Sequence, residues 1–315
     1  QVMKEVEILS LGPFYAPAFE LMEQEFTVHK LWQAKDPAAL IAEVGGRIRG
    51  IQAMHLNKTD VILMDALPKL EIIACFGVGV DGVDLDAARK RGLVVTNTPE
   101  VLNECVADLA MGLTLATVRR ISLGDRYVRA GRWLNGPLPF THSMGGKIMG
   151  ILGYGRIGKA IAKRAEAFGM RIVYHGRKPQ ADVAHKYYAS LTAMARDCDV
   201  LMAICPGGAA TRHIVNAEVM QALGPEGTLI NVARGSVVDE QALVQALADG
   251  SLGAAGLDVF DSEPKVPEAL FTMDQVVLQP HVASATHETR MAMGVLTADN
   301  LRAHFAGKPV LTPVV

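Results

Sequence analysis

The sequence lacks a surplus of positive charge, a cysteine framework and a hydrophobic run long enough to cross a membrane. Its formal net charge is −2, with 20 % charged residues among 315, so nucleic-acid binding and polybasic membrane binding are not favoured. The longest apolar stretch, Leu109–Val118, is too short to span a bilayer and predicts a packed helix. Residues 5–10 are typical of a strand and not of a signal peptide, so we expect a soluble cytoplasmic protein.

Metal-binding and disulfide motifs are also missing. The four cysteines, Cys75, Cys105, Cys198 and Cys205, are scattered and form no C-x-x-C pair. We therefore expect reduced and mostly buried thiols. The sequence contains no H-E-x-x-H segment, and no metal site is expected.

Strand-like segments alternate with helix-like segments along the whole chain, and half of all residues are hydrophobic. This alternation predicts parallel sheets covered by helices, and the length suffices for two domains. The early strand candidates are Glu5–Ser10, Gly50–Met54, Lys69–Ala74 and Leu93–Thr96, with helical patterns at Pro17–Gln24 and Pro37–Val44.

The alternation restarts near residue 147, so a second α/β domain is expected there. Five or six strands in this part suffice for a complete doubly wound domain. Its strand candidates are Lys147–Leu152, Arg171–Tyr174, Val200–Ile204, Thr228–Val232, Gly256–Val259 and Gln275–Leu278. Helical spacing also predicts a helix over Asn103–Ser122, apolar enough to require a packing partner, and another over Thr286–Phe305.

A glycine-rich turn follows the first strand of this second domain. Gly153, Gly155 and Gly158 form G-x-G-x-x-G between a buried strand and a helix. In a dinucleotide site the first glycine permits the tight turn, the second admits the pyrophosphate, and the third lets helix and strand pack closely. The intervening residues Tyr154, Arg156 and Ile157 complete the expected cofactor turn.

The same turn also fits the start of a nucleotide-triphosphate loop, because Gly153 to Lys159 spells G-x-x-x-x-G-K. The next residue is Ala160, which has no hydroxyl for Mg²⁺, so the dinucleotide interpretation is favoured.

The end of the next strand bears on the choice between NAD and NADP. An NAD enzyme places an acidic residue there to hold the ribose 2′-OH, whereas this chain has His175, Gly176, Arg177 and Lys178. A carboxylate would repel a 2′-phosphate, and an arginine can bind it with two hydrogen bonds. NADPH is therefore the preferred cofactor predicted by the sequence, with NAD possible.

Three later segments carry polar residues at the ends of predicted strands, where doubly wound folds bind their ligands. They are Asn231–Ser236, Gly256–Pro264 and Gln279–Thr286. Taken singly, Arg234 could be a surface cation, Glu263 a turn residue before proline, and His281 a histidine of the protein core.

Together these segments resemble the D-isomer-specific 2-hydroxyacid dehydrogenase family, and the resemblance covers nearly the whole chain. It rests on Asn231–Gly235 and Gly256–Phe260, together with Phe76–Asp81 and Val95–Pro99 in the first half. Residues 280–290 look most similar to the glyoxylate/hydroxypyruvate reductases and the related hydroxyphenylpyruvate reductases.

The resemblance implies roles for three catalytic residues. His281 would give a proton to the carbonyl oxygen, Glu263 would hold the imidazole, and Arg234 would bind the carboxylate and polarise the carbonyl. The substrate would also be bound by Leu56 and by the backbone N–H groups of Val78 and Gly79. The remaining cofactor contacts implied are Cys205, Pro206, Thr211, Val232, Ala233, Asp258 and Ala283, with Asp258 at the nicotinamide carboxamide.

The resemblance also implies the architecture: two doubly wound parallel-sheet domains, with a Rossmann dinucleotide-binding domain inserted in a flavodoxin-like substrate domain. Residues 1–98 and 286–315 would form the substrate domain, and residues 99–285 the cofactor domain. Family members are usually homodimers, joined here through residues near 100–143, from which Trp133 or Leu134 would reach the partner's site.

The expected activity is NADPH-dependent reduction of glyoxylate and hydroxypyruvate to D-2-hydroxy acids. An aryl-pyruvate or D-lactate-type reductase remains an alternative. Some proteins of this fold are cofactor-sensing transcriptional interaction proteins, which we do not favour here because long disordered tails are missing. Glu263 argues against a formate dehydrogenase, which pairs the histidine with glutamine. No residues after Val315 are left for the regulatory domain of a long phosphoglycerate dehydrogenase.

Overall fold

The computed structural model describes residues 2–315, which divide into two compact units. The first unit runs to Leu102 and resumes at Ser284, and the second unit is Asn103–Ala283. The strands are β1 (Glu7–Ser10), β2 (Thr27–Lys30), β3 (Ile48–Met54), β4 (Ile72–Phe76), β5 (Val94–Thr96), β6 (Ile148–Leu152), β7 (Arg171–His175), β8 (Lys186–Tyr187), β9 (Val200–Ala203), β10 (Thr228–Asn231), β11 (Ala254–Leu257) and β12 (Val276–Leu278).

Within the described residues, every helix but the last lies between two strands along the chain, as the alternation in the sequence predicts. They are α1 (Ala16–Glu25), α2 (Pro37–Val44), α3 (Val61–Asp65), α4 (Leu85–Lys90), α5 (Asn103–Val118), α6 (Ile121–Arg129), α7 (Arg156–Ala167), α8 (Leu191–Asp197), α9 (Ala217–Leu223), α10 (Glu240–Asp249) and α11 (His287–Phe305). Many begin at a side chain that accepts a hydrogen bond from the first turn. These caps are Asp36, Asp60, Asp84, Ser190, Asn216, Asp239 and Thr286.

The first unit is built on a parallel five-stranded sheet with the order β2-β1-β3-β4-β5, which is the flavodoxin-like order. The chain changes direction across the sheet between β1 and β3, so ligand sites are expected beyond the carboxyl ends of these strands. Helix α11 packs on α1 and β4. The chain terminus runs beside β5, where Val95 N–H donates to Val315 O at 2.9 Å.

The second unit is built on a parallel seven-stranded sheet with the order β12-β11-β10-β9-β6-β7-β8. Starting from β6, this is the Rossmann order extended by one strand. Apolar clusters form around it; one includes Leu201, Leu229 and Leu257, and another includes Ile151, Met202 and Ile230. The two sheets confirm the predicted fold class.

Helix α5 ends at Val118, so the predicted helix over Asn103–Ser122 was too long. Thr114 and Thr117 hydroxyls donate to carbonyls one turn earlier, and Arg120 has φ +51°. This left-handed backbone conformation cannot continue the α-helix, so the chain changes direction and α6 begins at the next residue. The apolar face of α5 packs on α7 and β11 of its own unit.

The short strands β2 and β8 were missing from the sequence prediction, and β11 begins two residues earlier than predicted. Both missed strands lie at a sheet edge, where half of the backbone groups have no strand partner and the apolar pattern is weak. In the described part of the chain, no helix is both long and apolar enough to cross a lipid bilayer.

The buried thiols match the expectation for the cysteines: Cys75, Cys198 and Cys205 are buried, and no disulfide forms among residues 2–315. Burial raises the pKa of the Cys75 and Cys198 thiols to about 12 and that of Cys205 to about 11. These thiols are therefore uncharged core side chains at neutral pH.

Candidate active site

The three candidate catalytic residues lie at the carboxyl edge of the seven-stranded sheet. Strands β10, β11 and β12 are adjacent and parallel, and each is followed by one of these residues. Arg234 follows β10, Glu263 follows β11 and His281 follows β12. The sheet order thus brings to one edge side chains separated by up to 47 residues in sequence.

His281 and Glu263 form a hydrogen-bonded pair. The His281 Nδ1 atom lies 2.7 Å from Glu263 Oε2, and Glu263 Oε1 accepts from the Phe260 N–H at 3.1 Å. The His281 N–H donates to the Asp258 carbonyl at 2.8 Å, which holds the residue at φ +52°. Because Nδ1 is hydrogen-bonded to the carboxylate, proton exchange with a substrate would have to use Nε2.

Arg234 is positioned by the residue that ends β10. The buried Asn231 side chain accepts from Ala233 N–H and donates to Arg234 O, both at 3.0 Å. Arg234 Nη1 also donates to Ala233 O at 2.9 Å. A Cβ at Gly235 would lie 1.9 Å from the Phe260 carbonyl carbon, so this loop can approach the segment after β11 only with glycine there.

Asp258 connects the loops that follow β11 and β12. The residue is 1 % exposed, and its two carboxylate oxygens accept from Val282 N–H at 2.8 Å and Ala283 N–H at 3.1 Å. Burial is the largest influence on this carboxyl and raises its pKa. The observed bonds hold the His281 loop, while the predicted contact of Asp258 with the nicotinamide carboxamide stays a prediction.

The glycine turn lies between β6 and α7, where the strand order reverses. Gly153 has φ +96°, and a Cβ there would lie 2.6 Å from Cys205 Cα. A Cβ at Gly158 would lie 2.5 Å from Gly153 O, whereas a Cβ at Gly155 would meet no atom within 4 Å. The turn is therefore tightly packed against the protein at Gly153 and Gly158, whereas the space at Gly155 is open.

Gly155 is the N-cap residue of α7, and no side chain caps this helix start. Its first N–H groups and the positive end of its dipole therefore remain available to an anion. The open space at Gly155, which a side chain would fill, and this uncapped helix start fit the pyrophosphate of a dinucleotide.

The end of β7 carries the residues expected near the adenosine ribose. His175 Nδ1 lies 2.7 Å from Tyr188 O, and the Tyr187 hydroxyl donates to Gly176 O at 3.0 Å. Arg177 and Lys178 are exposed, and neither forms an ion pair within residues 2–315. The strand end thus presents two cations and no carboxylate.

The remaining predicted cofactor residues lie along the same sheet edge, after β9, β10 and β12. Cys205 is buried against the glycine turn, Pro206 is exposed, and the Thr211 hydroxyl donates to Pro206 O at 2.6 Å. Val232, Ala233 and Ala283 are buried. Their contacts with a cofactor stay predictions.

The predicted substrate residues Leu56, Val78 and Gly79 belong to the first unit and follow the carboxyl ends of β3 and β4. Leu56 is 66 % exposed and Val78 is 39 % exposed. Both loops therefore lie at the ligand-binding edge of their own sheet.

Comparison with known proteins identifies the family. Residues 111–283 match the sequence model of the D-isomer specific 2-hydroxyacid dehydrogenase, NAD binding domain. The chain belongs to this family. It is an NAD(P)-dependent oxidoreductase, which agrees with the glycine turn and the sheet order described above.

Relatives of this dehydrogenase match it over its whole length. Glyoxylate/hydroxypyruvate reductase A of Arabidopsis thaliana is 47 % identical, covering 99 % of this chain and 100 % of the relative. Hydroxyphenylpyruvate reductase of Plectranthus scutellarioides is 46 % identical with the same coverage. A solved NADPH-dependent glyoxylate/hydroxypyruvate reductase from Sinorhizobium meliloti, in complex with NADP and malonate, has 46 % identity and a TM-score of 0.91, covering 99 % of this chain and 97 % of that one.

Two contributors to the site of the dehydrogenase had no assigned role from sequence: the Asn231 side chain and the close contact at Gly235. An asparagine at the end of a strand often bonds the backbone two or three residues later. That local signal could have found Asn231, but the contact of Gly235 with Phe260 depends on the pairing of β10 with β11.

Proposed function

We propose that this dehydrogenase reduces small 2-keto acids, with glyoxylate and hydroxypyruvate as substrates, to D-2-hydroxy acids, and that it prefers NADPH. The observation that carries the proposal is the His281–Glu263 pair, 2.7 Å apart, on the same sheet edge as Arg234. Reduction of a keto acid needs a proton donor and a cation for the carboxylate, and these residues supply both.

The steps can be assigned to side chains. Arg234 binds the carboxylate and the carbonyl oxygen, which orients the substrate and favours negative charge on that oxygen. His281 Nε2 donates the proton to the carbonyl oxygen, while Glu263 holds Nδ1 and stabilises the charged imidazole. When bound, NADPH supplies the hydride for the carbonyl carbon. In the reverse direction His281 accepts the hydroxyl proton.

The preference for NADPH is supported by the end of β7. Arg177 and Lys178 are exposed there, and His175 occupies the position where an NAD enzyme has a carboxylate. A 2′-phosphate would gain charge-assisted hydrogen bonds from Arg177, which a 2′-hydroxyl cannot match. The Sinorhizobium meliloti relative is itself described as NADPH-dependent.

In this proposal the two units bind different ligands. The unit Asn103–Ala283 binds the cofactor, and the other unit binds substrate through Leu56 and the N–H groups of Val78 and Gly79. Leu56 would cover the substrate side chain, because it is a largely exposed apolar residue beyond the end of β3.

A second substrate class is supported by the hydroxyphenylpyruvate reductase relative, which is about as similar as the glyoxylate/hydroxypyruvate reductase. The test measures absorbance at 340 nm with glyoxylate, hydroxypyruvate, hydroxyphenylpyruvate and pyruvate, each with NADPH and NADH. The proposal expects the highest kcat/KM for glyoxylate or hydroxypyruvate with NADPH. Failure to oxidise NADPH with any of these acids would overturn it, and preference for the aryl acid would select the alternative.

We further propose that the protein is a cytoplasmic homodimer joined through residues near 100–143. Large apolar side chains are exposed in this segment: Ile121, Val128, Trp133, Leu134 and Phe140. Exposed apolar side chains grouped in one segment are typical of an interface between chains. The proposed cytoplasmic location is supported by the four cysteines, which are free thiols, as is usual in a reducing compartment.

A further inference from the structure

We infer that Asn97 and Thr98 are positioning residues that aim the N–H groups of Val78 and Gly79 at the substrate carboxylate. The inference rests on the proposed function, in which these two N–H groups bind the keto acid. It assigns a role to the segment directly after β5, which lies beside β4 in the five-stranded sheet.

Three hydrogen bonds join this segment to the loop after β4. Gly77 N–H donates to the Thr98 hydroxyl oxygen at 2.9 Å, and Thr98 N–H donates to Gly77 O at 2.8 Å. The Asn97 side-chain amide donates to Val78 O at 3.0 Å. Thr98 is fully buried, and Gly77 has φ +133°, which only glycine adopts readily.

These bonds determine the direction of the two N–H groups. In a planar trans peptide, the carbonyl of one residue and the N–H of the next point in opposite directions. Thr98 holds the Gly77 carbonyl and so aims the Val78 N–H away from β5. Asn97 holds the Val78 carbonyl and so aims the Gly79 N–H the same way. Within residues 2–315, neither N–H donates to a protein acceptor.

Asn97 is itself held by the C-terminal segment. The Thr312 hydroxyl donates to Asn97 O at 2.6 Å, and the Thr312 hydroxyl oxygen accepts from the Asn300 side-chain amide at 2.8 Å. Asn300 is fully buried in α11, and its Oδ1 also accepts from the Leu311 N–H. A chain of hydrogen bonds therefore connects the buried Asn300 through Thr312 and Asn97 to the peptide between Val78 and Gly79.

These hydrogen bonds do more than hold the loop in place, because two adjacent N–H groups that point in one direction form a concave binding site for an anion. Without the Asn97 donor, the peptide between Val78 and Gly79 can rotate, and the Gly79 N–H loses its fixed direction. Substrate affinity should then fall, whereas NADPH affinity and proton transfer by His281 should not.

The experiment compares wild type, Asn97→Ala and Asn97→Asp in steady-state kinetics with glyoxylate and hydroxypyruvate. Aspartate keeps the size of asparagine but cannot donate to Val78 O, so it serves if alanine impairs folding. Asn216→Ala is the matched control, because Asn216 also bonds backbone but only caps α9. NADPH affinity is measured by fluorescence titration and folding by thermal unfolding.

We expect KM for both acids to rise about tenfold or more in the Asn97 variants, as loss of one hydrogen bond to a charged group implies. The expected kcat changes less than about threefold, and NADPH affinity stays within about twofold. Asn216→Ala should lower only thermal stability. A KM within about twofold of wild type in folded Asn97 variants would overturn the inference while the proposed function stands. A wild type that reduces neither acid would overturn both.

Discussion

At the scale of single residues, the chemistry depends on which atom of each side chain is already bound. Glu263 occupies Nδ1 of His281, and Asn231 fixes the backbone of Arg234. These hydrogen bonds fix the orientation of the two residues that we propose as proton donor and carboxylate ligand.

Replacement of the histidine tests the proton transfer. In His281→Ala, kcat for glyoxylate should fall about 10²- to 10⁴-fold, the usual contribution of general acid–base catalysis. NADPH affinity should remain close to that of wild type, because the glycine turn is untouched. Stopped-flow turnover and fluorescence titration measure the two quantities. Glu263→Gln should give a smaller loss, and an unchanged kcat in His281→Ala would remove His281 from the mechanism.

Replacement of Arg177 tests the cofactor preference. Arg177→Ala should raise KM for NADPH about tenfold and leave KM for NADH nearly unchanged, since only NADPH carries the 2′-phosphate. Arg171→Ala is the matched control, because Arg171 is an exposed arginine at the other end of β7. Equal effects on NADPH and NADH in Arg177→Ala would contradict the proposed role.

At the scale of secondary-structure elements, the glycine turn and the start of α7 together form the candidate pyrophosphate site. Gly153 and Gly158 are required by close backbone approach, whereas Gly155 has open space where a side chain would be. Gly155 also has φ −88° and ψ −159°, a conformation that other residues adopt. The fold therefore does not require glycine at position 155, which agrees with the predicted role of Gly155 in admitting the pyrophosphate.

This difference gives a test at the level of the turn. Gly155→Val should lower NADPH affinity about tenfold or more, because its side chain would occupy the pyrophosphate position, while thermal stability changes little. Isothermal titration calorimetry and thermal unfolding provide the two readouts. Gly46→Ala is the control, since it too meets no atom within 4 Å. Unimpaired NADPH binding in Gly155→Val would argue against a cofactor in this turn.

At the scale of the whole molecule, the segment near 100–143 carries a group of large apolar side chains that are exposed. Leu134 is 92 % exposed, and Phe140 is fully exposed. Burial of such side chains by a second chain would remove apolar surface from water, at roughly 25 cal/mol per Å².

Light scattering after size exclusion tests this assembly. Wild type should elute with the mass of two chains, and Leu134→Glu combined with Phe140→Glu should shift it toward one, because two carboxylates cannot be buried unpaired. Phe271→Glu, an exposed aromatic outside the segment, serves as control. A wild type with the mass of one chain at micromolar concentration would contradict the proposed dimer.

Sequence alone determined the two parallel sheets and the glycine turn, because both are encoded by neighbouring residues: alternating apolar segments, and three glycines between a strand and a helix. It also pointed to Arg234, Glu263 and His281, although only through resemblance to a family. Their roles remain predictions, and so do the boundaries drawn between substrate and cofactor domains.

Only the tertiary structure decided how distant segments meet. It required glycine at position 235 against Phe260 and joined Asn97 to Val78, and it gave the direct contact between His281 and Glu263 that the resemblance had only implied. It also ended α5 at Val118 and added the edge strands β2 and β8. These features depend on strand order and on contacts between residues far apart in sequence, whose free energy appears only when the sheets form. A local pattern carries no record of them.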